Sequence, residues 1–151
     1  MAAAAGPRCA ALGVLRSLRA ARRPGTLGVN HRETRMGRLS THVLDTAAGI
    51  PGAGMEYALF RLDGAARITV AEGRTNADGR TDAPLLAGDA FRGGRYELVF
   101  QAGAYFRARG VPLADPPFLD AVTIAFGMEG DGHYHVPLLV SPFSFTTYRG
   151  S

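Results

Sequence analysis

The sequence predicts an all-β sandwich with at most one short helix. Between residues 39 and 149 there are about seven short runs of alternating or β-branched residues, and turn residues separate them. A chain of 151 residues is long enough for one domain with its own core. No apolar run approaches the roughly 20 residues that a transmembrane helix requires.

Alternation within the runs assigns side chains to faces of the predicted strands. In the run 94–101, Tyr96, Leu98 and Phe100 share one face, which is typical of a half-buried strand. The stretch AYFRARG (104–110) is predicted to form about two helical turns, and AAGIPGAG (47–54) to be a loop. The other predicted strands are LSTHVLDT (39–46), MEYALFRL (55–62), RITVAE (67–72), FLDAVTIAF (118–126), HYHVPLLV (133–140) and FSFTTYR (143–149).

Charge is distributed unevenly along the chain. Residues 1–36 hold seven Arg and one Glu, a formal charge of +6, whereas residues 37–151 hold ten Arg and twelve acids, a charge of −2, within the total of +4. The mildly acidic larger part argues against a nucleic-acid surface. The single cysteine, Cys9, excludes an intrachain disulfide and a cysteine-based metal site.

The composition break divides the chain in two. Residues 1–36 are predicted to be a disordered Arg/Ala-rich N-terminal extension, and residues 37–151 to be the folded domain. An Arg-rich, acid-poor start is typical of a mitochondrial transit peptide. The favoured alternative is a translated upstream extension with the true start at Met36, because it requires no function. We expect a cytoplasmic location, or an organellar one if residues 1–35 act as a transit peptide.

Histidines and arginines are the candidates for chemistry, because the sequence has no phosphate loop, nucleophile elbow or HExxH motif. His133 and His135 are two residues apart on a predicted strand and therefore share a face. That spacing suits a metal site or a polar cluster, and we favour the polar cluster because no third ligand is obvious. By pattern alone, His42 is a structural histidine and Arg80 a solvated residue after the Asp78–Gly79 turn.

Three motifs in order carry the interpretation further. LSTHVLDTAAGIPGAGMEYALFRL (39–62), TNADGR (75–80) and HYHVPLLVSPFSFTTYRGS (133–151) resemble the 5-hydroxyisourate hydrolases, which are transthyretin-related enzymes of purine breakdown. The resemblance covers residues 39–151. It implies a transthyretin-like β-sandwich of two four-stranded sheets, assembled as a homotetramer with active sites in a channel at the dimer–dimer interface.

The same resemblance implies the reaction and the residues that perform it. The substrate would be 5-hydroxyisourate and the product 5-hydroxy-2-oxo-4-ureido-2,5-dihydro-1H-imidazole-5-carboxylate, in urate catabolism, with no cofactor, metal, nucleic acid or membrane. Matched motif by motif, the catalytic residues are His42, Arg80, His135 and Ser151, and the substrate-binding residues are His42, Arg80 and Tyr148. On this resemblance the last strand runs to the end of the sequence because the terminal YRGS lines the channel.

The implied residue types suit a hydrolysis. A neutral histidine accepts a proton from water near pH 7, and the planar fork of Arg80 matches a carbonyl oxygen that gains negative charge. Which of His42 and His135 is the base stays open. His133 is expected to support the site or to face solvent, and Ser151 to orient a histidine or hold the water.

Two other classes of function are weighed against the hydrolase. The first is a small-molecule carrier, as in transthyretin, in which the channel binds an apolar ligand without chemistry. A carrier of this kind would not keep His42, Arg80 and His135 converging on its channel, because burying unused polar groups is costly. The second is a structural or adhesive β-sandwich module, a class that usually occurs in tandem arrays.

Overall fold

The computed structural model describes residues 37–150, which form two β-sheets and one short helix. The predicted all-β sandwich is confirmed. Within these residues no helix is long and apolar enough to span a membrane. The predicted N-terminal extension and Ser151 lie outside the described residues. The elements are β1 (Arg38–Asp45), β2 (Ile50–Pro51), β3 (Glu56–Asp63), β4 (Ala66–Arg74), β5 (Leu86–Ala87), β6 (Gly94–Gln101), α1 (Ala102–Ala108), β7 (Ala121–Met128), β8 (His133–Val140) and β9 (Phe145–Thr146), with a 3₁₀ turn at Gly88–Ala90.

The strands are arranged in two layers. One sheet has the order β4-β3-β6-β7, and all of its pairs are antiparallel. The other has the order β2-β1-β8-β9 with a parallel β1–β8 pair at its centre, and β5 also pairs with β1. The two predicted four-stranded sheets are therefore present, and β5 adds a fifth strand to one of them. A strand of two residues is too short to show alternation, so β5 was not predicted, and neither was β2, which lies within the predicted loop 47–54.

The core fills the space between the sheets. Tyr96, Leu98 and Phe100 of β6 point inward as predicted, with exposed fractions of 2%, 0% and 0%. Val43 of β1 and Leu138 of β8 are also fully buried, at 0% each. Burying each such side chain stabilises the fold by about 1.5–3 kcal/mol. The inward residues of β1 and β8 thus fix both strands, and the alternate residues are left on the outer face of the same sheet.

Two strands, β7 and β9, differ from their predicted bounds by three residues at one end, and the other predicted strands differ by at most two. β7 begins at Ala121 and not at Phe118, because the carbonyl of Asp120 accepts a hydrogen bond at 2.8 Å from the N–H of Gly103 in α1. β9 ends at Thr146, although Gly150 pairs again with β8 in the same register. Continuing that register places Tyr148 opposite Pro137, which has no N–H for a ladder hydrogen bond.

The edge of β1 that faces away from β8 is covered by three short segments. β5 pairs at Arg38–Leu39, Arg80 forms an isolated antiparallel bridge to His42, and β2 pairs at Leu44–Asp45. Covering an edge in this way prevents it from pairing with another chain. It also fixes Arg80 beside His42. By sequence pattern alone, Arg80 was interpreted as a solvated turn residue.

Candidate active site

The outer face of the β1–β8 pair carries a cluster of polar side chains. The parallel register sets Arg38 beside His133, Ser40 beside His135 and His42 beside Pro137. Because alternate residues of a strand share a face, the polar residues of both strands lie on the face opposite the core. The pair therefore presents three histidines to one side of the sheet.

A cleft of about 420 Å³ opens over this face. Its volume lies within the range of small-molecule sites. It is lined by β1, by β8 and by the loop that follows Arg80, through Arg38, Ser40, Thr41, Arg80, Thr81, Asp82, Ala83, Pro84, His133 and His135. Two predicted catalytic residues, Arg80 and His135, thus lie in one cleft. His42 is not a lining residue and lies at the bridge to Arg80.

The loop that carries Arg80 is held by Asn76 and Gly79. The side-chain oxygen of Asn76 accepts hydrogen bonds from the N–H groups of Asp78 at 3.0 Å and Arg80 at 3.1 Å, and its backbone N–H donates to the carbonyl of Arg80 at 2.7 Å. Gly79 has φ of +71°, and its carbonyl accepts from the N–H of Val43 at 2.7 Å. A glycine adopts this backbone conformation without the strain that a side chain adds.

The surroundings keep both predicted catalytic histidines neutral. Burial lowers the pKa of His42 below its ordinary value of 6.5, and the positive charge of Arg80 lowers it further, against an opposing effect of Asp78. Burial likewise lowers the pKa of His135, followed by the charges of Arg80, His42 and His133. At neutral pH, both imidazoles therefore have a free lone pair that can accept a proton.

His133 lies in a hydrogen-bonded cluster with two residues that the sequence analysis did not single out. Nε of Arg38 donates to Nε2 of His133 at 3.2 Å. The hydroxyl of Ser40 lies 3.4 Å from the same Nε2 and 3.0 Å from Nδ1 of His135. Residues 37–150 contain no group of three or more potential metal ligands, and the Arg38 cation beside His133 opposes a divalent ion there. The three contacts join Arg38, Ser40, His133 and His135 in one polar cluster.

The alternation of side chains along β1 could have identified Arg38 and Ser40 as site residues. Ser40 and Arg38 precede His42 by two and four residues, so a strand at 39–46 puts Ser40 on the same face as the histidine, and its extension by one residue adds Arg38. The parallel pairing with β8 then brings them to His133 and His135. That pairing joins residues about 95 positions apart and leaves no local signal.

The segment after β9 contributes its backbone to the site. His135 and Gly150 exchange two hydrogen bonds, at 2.8 and 3.3 Å. Tyr148 has 57% of its surface exposed and lines a separate apolar cleft of about 200 Å³ beside Arg149, whose guanidinium lies 4.5 Å from the ring centre of Tyr134. A single chain therefore does not bring Tyr148 into the cleft of His135. The roles predicted for Tyr148 and for Ser151, which lies beyond the described residues, stay predictions.

Comparison with known proteins identifies the family. The model of the HIUase/Transthyretin family matches residues 39–150. The protein belongs to this family. The match begins one residue after the start of β1 and ends at Gly150, so it includes every element of the fold and the cleft on the outer sheet face.

Two bacterial 5-hydroxyisourate hydrolases are similar to this chain. The 5-hydroxyisourate hydrolase of Mesorhizobium japonicum is 62% identical over 115 residues, which is 76% of this chain and 93% of the relative. That of Pseudomonas aeruginosa is 53% identical over 126 residues, covering 83% of this chain and all of the relative.

Solved structures share the fold. A Klebsiella pneumoniae 5-hydroxyisourate hydrolase matches with a TM-score of 0.64 and 36% identity over 76% of this chain and 99% of that chain. An (S)-allantoin synthase matches with a TM-score of 0.73 and 47% identity, and the aligned part spans 77% of this chain and 44% of that chain. Sea bream transthyretin in complex with thyroxine is 28% identical, with a TM-score of 0.68 over 75% of this chain and 94% of that one. The higher identity of the hydrolases favours the enzyme over the carrier.

Proposed function

We propose that the protein hydrolyses 5-hydroxyisourate to 5-hydroxy-2-oxo-4-ureido-2,5-dihydro-1H-imidazole-5-carboxylate in urate catabolism. The observation that carries the proposal is that Arg80 and His135 line one cleft and Arg80 bridges to His42, with the pKa of both histidines lowered by burial and by the charge of Arg80. The names of the close bacterial relatives support the same reaction.

The reaction needs an activated water at a lactam carbonyl. One neutral histidine accepts a proton from water as the oxygen bonds to the carbonyl carbon. The C–N bond of the six-membered ring then breaks, and that proton passes to the leaving nitrogen. The products are an N–H group and a carboxylic acid, which loses its remaining proton to solvent and becomes the carboxylate. His42 and His135 lie on neighbouring strands, and the positive charge of Arg80 lowers the pKa of both. Either histidine can therefore accept the proton from water and pass it to the leaving nitrogen.

Arg80 stabilises the transition state in this account. The attacked carbonyl oxygen gains negative charge, and a guanidinium offers it two parallel N–H donors and a full positive charge. The hydrogen bonds of Asn76 and the bridge to His42 hold the backbone of Arg80, so its side chain extends from a fixed position at the cleft. Asp82 at the cleft accepts a hydrogen bond from Asn76 at 3.0 Å and braces the same loop.

Assembly completes the proposed site. We assign Tyr148 to substrate binding and Ser151 to catalysis in a channel between dimers of a homotetramer. The pairing of Gly150 with His135 supports this assignment, because it puts the end of the sequence next to the cleft, and Tyr148 is exposed and accessible to a second copy of the chain. Sedimentation velocity tests the tetramer. For the cell, we propose a cytoplasmic location, with residues 1–36 as an extension of the enzyme.

The test is the absorbance decay of freshly generated 5-hydroxyisourate. With the protein present, decay should be faster in proportion to protein concentration, and the product should be the ring-opened carboxylate. A carrier would instead leave the decay rate unchanged and bind thyroxine, which an equilibrium dialysis of the same sample measures.

A further inference from the structure

The hydroxyl of Ser40 lies between two histidine rings. Its Oγ is 3.0 Å from Nδ1 of His135 and 3.4 Å from Nε2 of His133. Nε of Arg38 approaches that same Nε2 from another direction, at 3.2 Å. The four side chains form one continuous chain of polar contacts on the outer face of the β1–β8 pair.

The arginine fixes the role of the first histidine. A guanidinium has only donors, so Nε of Arg38 donates and Nε2 of His133 accepts. A neutral imidazole carries a single N–H, and in His133 it must then be on Nδ1. Consequently His133 cannot donate to Ser40 through Nε2. The contact between them is a hydrogen bond only if the Ser40 hydroxyl is the donor.

The direction of the Ser40 hydroxyl decides the tautomer of His135. If Ser40 donates to His133, its oxygen accepts from Nδ1–H of His135, and all three contacts are hydrogen bonds. If Ser40 donates instead to Nδ1 of His135, the 3.4 Å contact between Ser40 and His133 is not a hydrogen bond. The first arrangement has two donors sharing the lone pair of His133 Nε2, which agrees with the two longer distances of 3.2 and 3.4 Å.

We propose that Ser40 and His133 are positioning residues that hold His135 with its hydrogen on Nδ1 and the lone pair of Nε2 free. The inference rests on the proposed hydrolysis and assigns the base in it. Nε2 of His135 accepts the proton of the attacking water, and Nδ1–H stays bound to Ser40 while the ring is an imidazolium. The same proton then passes to the nitrogen of the broken C–N bond, so His135 returns to its starting tautomer.

Two variants of Ser40, and one variant that removes a distant hydroxyl, test the effect on rate. Ser40→Ala should lower kcat about 10- to 100-fold with little change in KM, by analogy with the effect of removing a group that orients a metal-ligating histidine. Ser40→Thr keeps the hydroxyl and should retain most of kcat. Thr69→Ala removes an exposed hydroxyl from β4 of the other sheet and should leave kcat unchanged. A kcat of Ser40→Ala equal to that of the control would overturn the proposal.

Nitrogen-15 NMR of the imidazoles gives a readout that does not depend on activity. The chain has only four histidines, so the spectrum can be assigned by single substitutions. In the unaltered protein, Nδ1 of His135 should carry the hydrogen, and in Ser40→Ala the population should move to Nε2–H. His133→Phe, which has no acceptor, should shift it in the same direction, and His133→Gln, which keeps one, should shift it less. Nε2–H of His135 in the unaltered protein would overturn the proposal.

The two readouts separate this proposal from the proposed function. If the unaltered protein does not hydrolyse 5-hydroxyisourate but His135 shows the Nδ1–H tautomer, which Ser40→Ala removes, then the hydrogen-bond chain stands and the reaction is wrong. If the protein hydrolyses the substrate and Ser40→Ala changes neither kcat nor tautomer, then the reaction stands and the positioning role is wrong.

Discussion

Gly150 lies so close to His135 that no side chain fits between them. Its N–H donates to the carbonyl of His135 at 2.8 Å, and a Cβ at position 150 would lie 2.8 Å from Cδ2 and 3.0 Å from Cβ of the histidine. Cβ atoms in proteins do not approach heavy atoms below 3.0 Å. The segment around Tyr148 is therefore held against the ring that we assign to catalysis.

Gly150→Ala is expected to displace the imidazole or the segment beside it. A displacement of about 1 Å can cost about 10²-fold in rate, so we expect a loss of kcat up to that size with a small change in melting temperature. The matched control is Gly130→Ala, where a new Cβ meets nothing within 4 Å. Equal kcat values for the two variants would show that the contact with Gly150 does not position His135.

Gly79→Ala should damage the loop that carries Arg80. The φ of +71° strains any side chain by about 1–2 kcal/mol, and the Cβ would lie 2.3 Å from the carbonyl oxygen of Val43. Gly64→Ala is the control, because its φ is +58° but no atom lies within 4 Å. We expect chemical denaturation to show a larger loss of stability for Gly79→Ala, and the assay to show loss of activity for that variant alone. Full activity of a folded Gly79→Ala would contradict the account.

The lowered pKa values predict the acid limb of the pH profile. As the pH falls, the base becomes protonated and the rate drops, and this should occur below 6.5 because burial and then the charge of Arg80 lower the pKa of His42 and His135. Replacing Arg80 with Gln removes one of these causes and keeps the burial, so proton NMR titration of Arg80→Gln should show both pKa values higher than in the unaltered protein. Unchanged or lower values would contradict the assigned cause.

Residues 1–35 should be dispensable for folding and turnover. The motivation is the change in composition and charge at Met36, together with the family match, which starts at residue 39. A chain that begins at Met36 is expected to keep the melting temperature, the sedimentation coefficient of the assembly and kcat/KM. A large loss of any of these would show that the extension belongs to the working enzyme.

Local pattern was sufficient for the fold class but not for the short strands, and only partly for the site. The alternation at Tyr96, Leu98 and Phe100 predicted their burial because a strand between core and solvent must alternate. The short β2 and β5 and the end of β9 were not found, because they depend on which strand lies beside them. Pro137 interrupts the last ladder through a missing N–H that matters only once the register is known.

The site residues show the same division. His42, Arg80 and His135 were predicted to be catalytic only because their motifs resemble those of a family. Without the resemblance, each was better explained as a structural or solvated residue. The bridge from Arg80 to His42 arises from the covering of the β1 edge, and the contacts of Ser40 arise from a parallel pairing with β8. Both are tertiary features without a local sequence signal.

The central claim is that Arg80 and the neighbouring histidines hydrolyse 5-hydroxyisourate, and a conservative substitution tests it most directly. Arg80→Lys keeps the charge but loses the planar fork of donors, and removal of one transition-state donor lowers kcat about 10²–10³-fold. Arg95→Lys, an exposed position on β6 away from the cleft, is the matched control. We predict a loss of that order in Arg80→Lys and none in Arg95→Lys, measured by the initial decay of 5-hydroxyisourate absorbance. A folded Arg80→Lys with the kcat of the control would contradict the account.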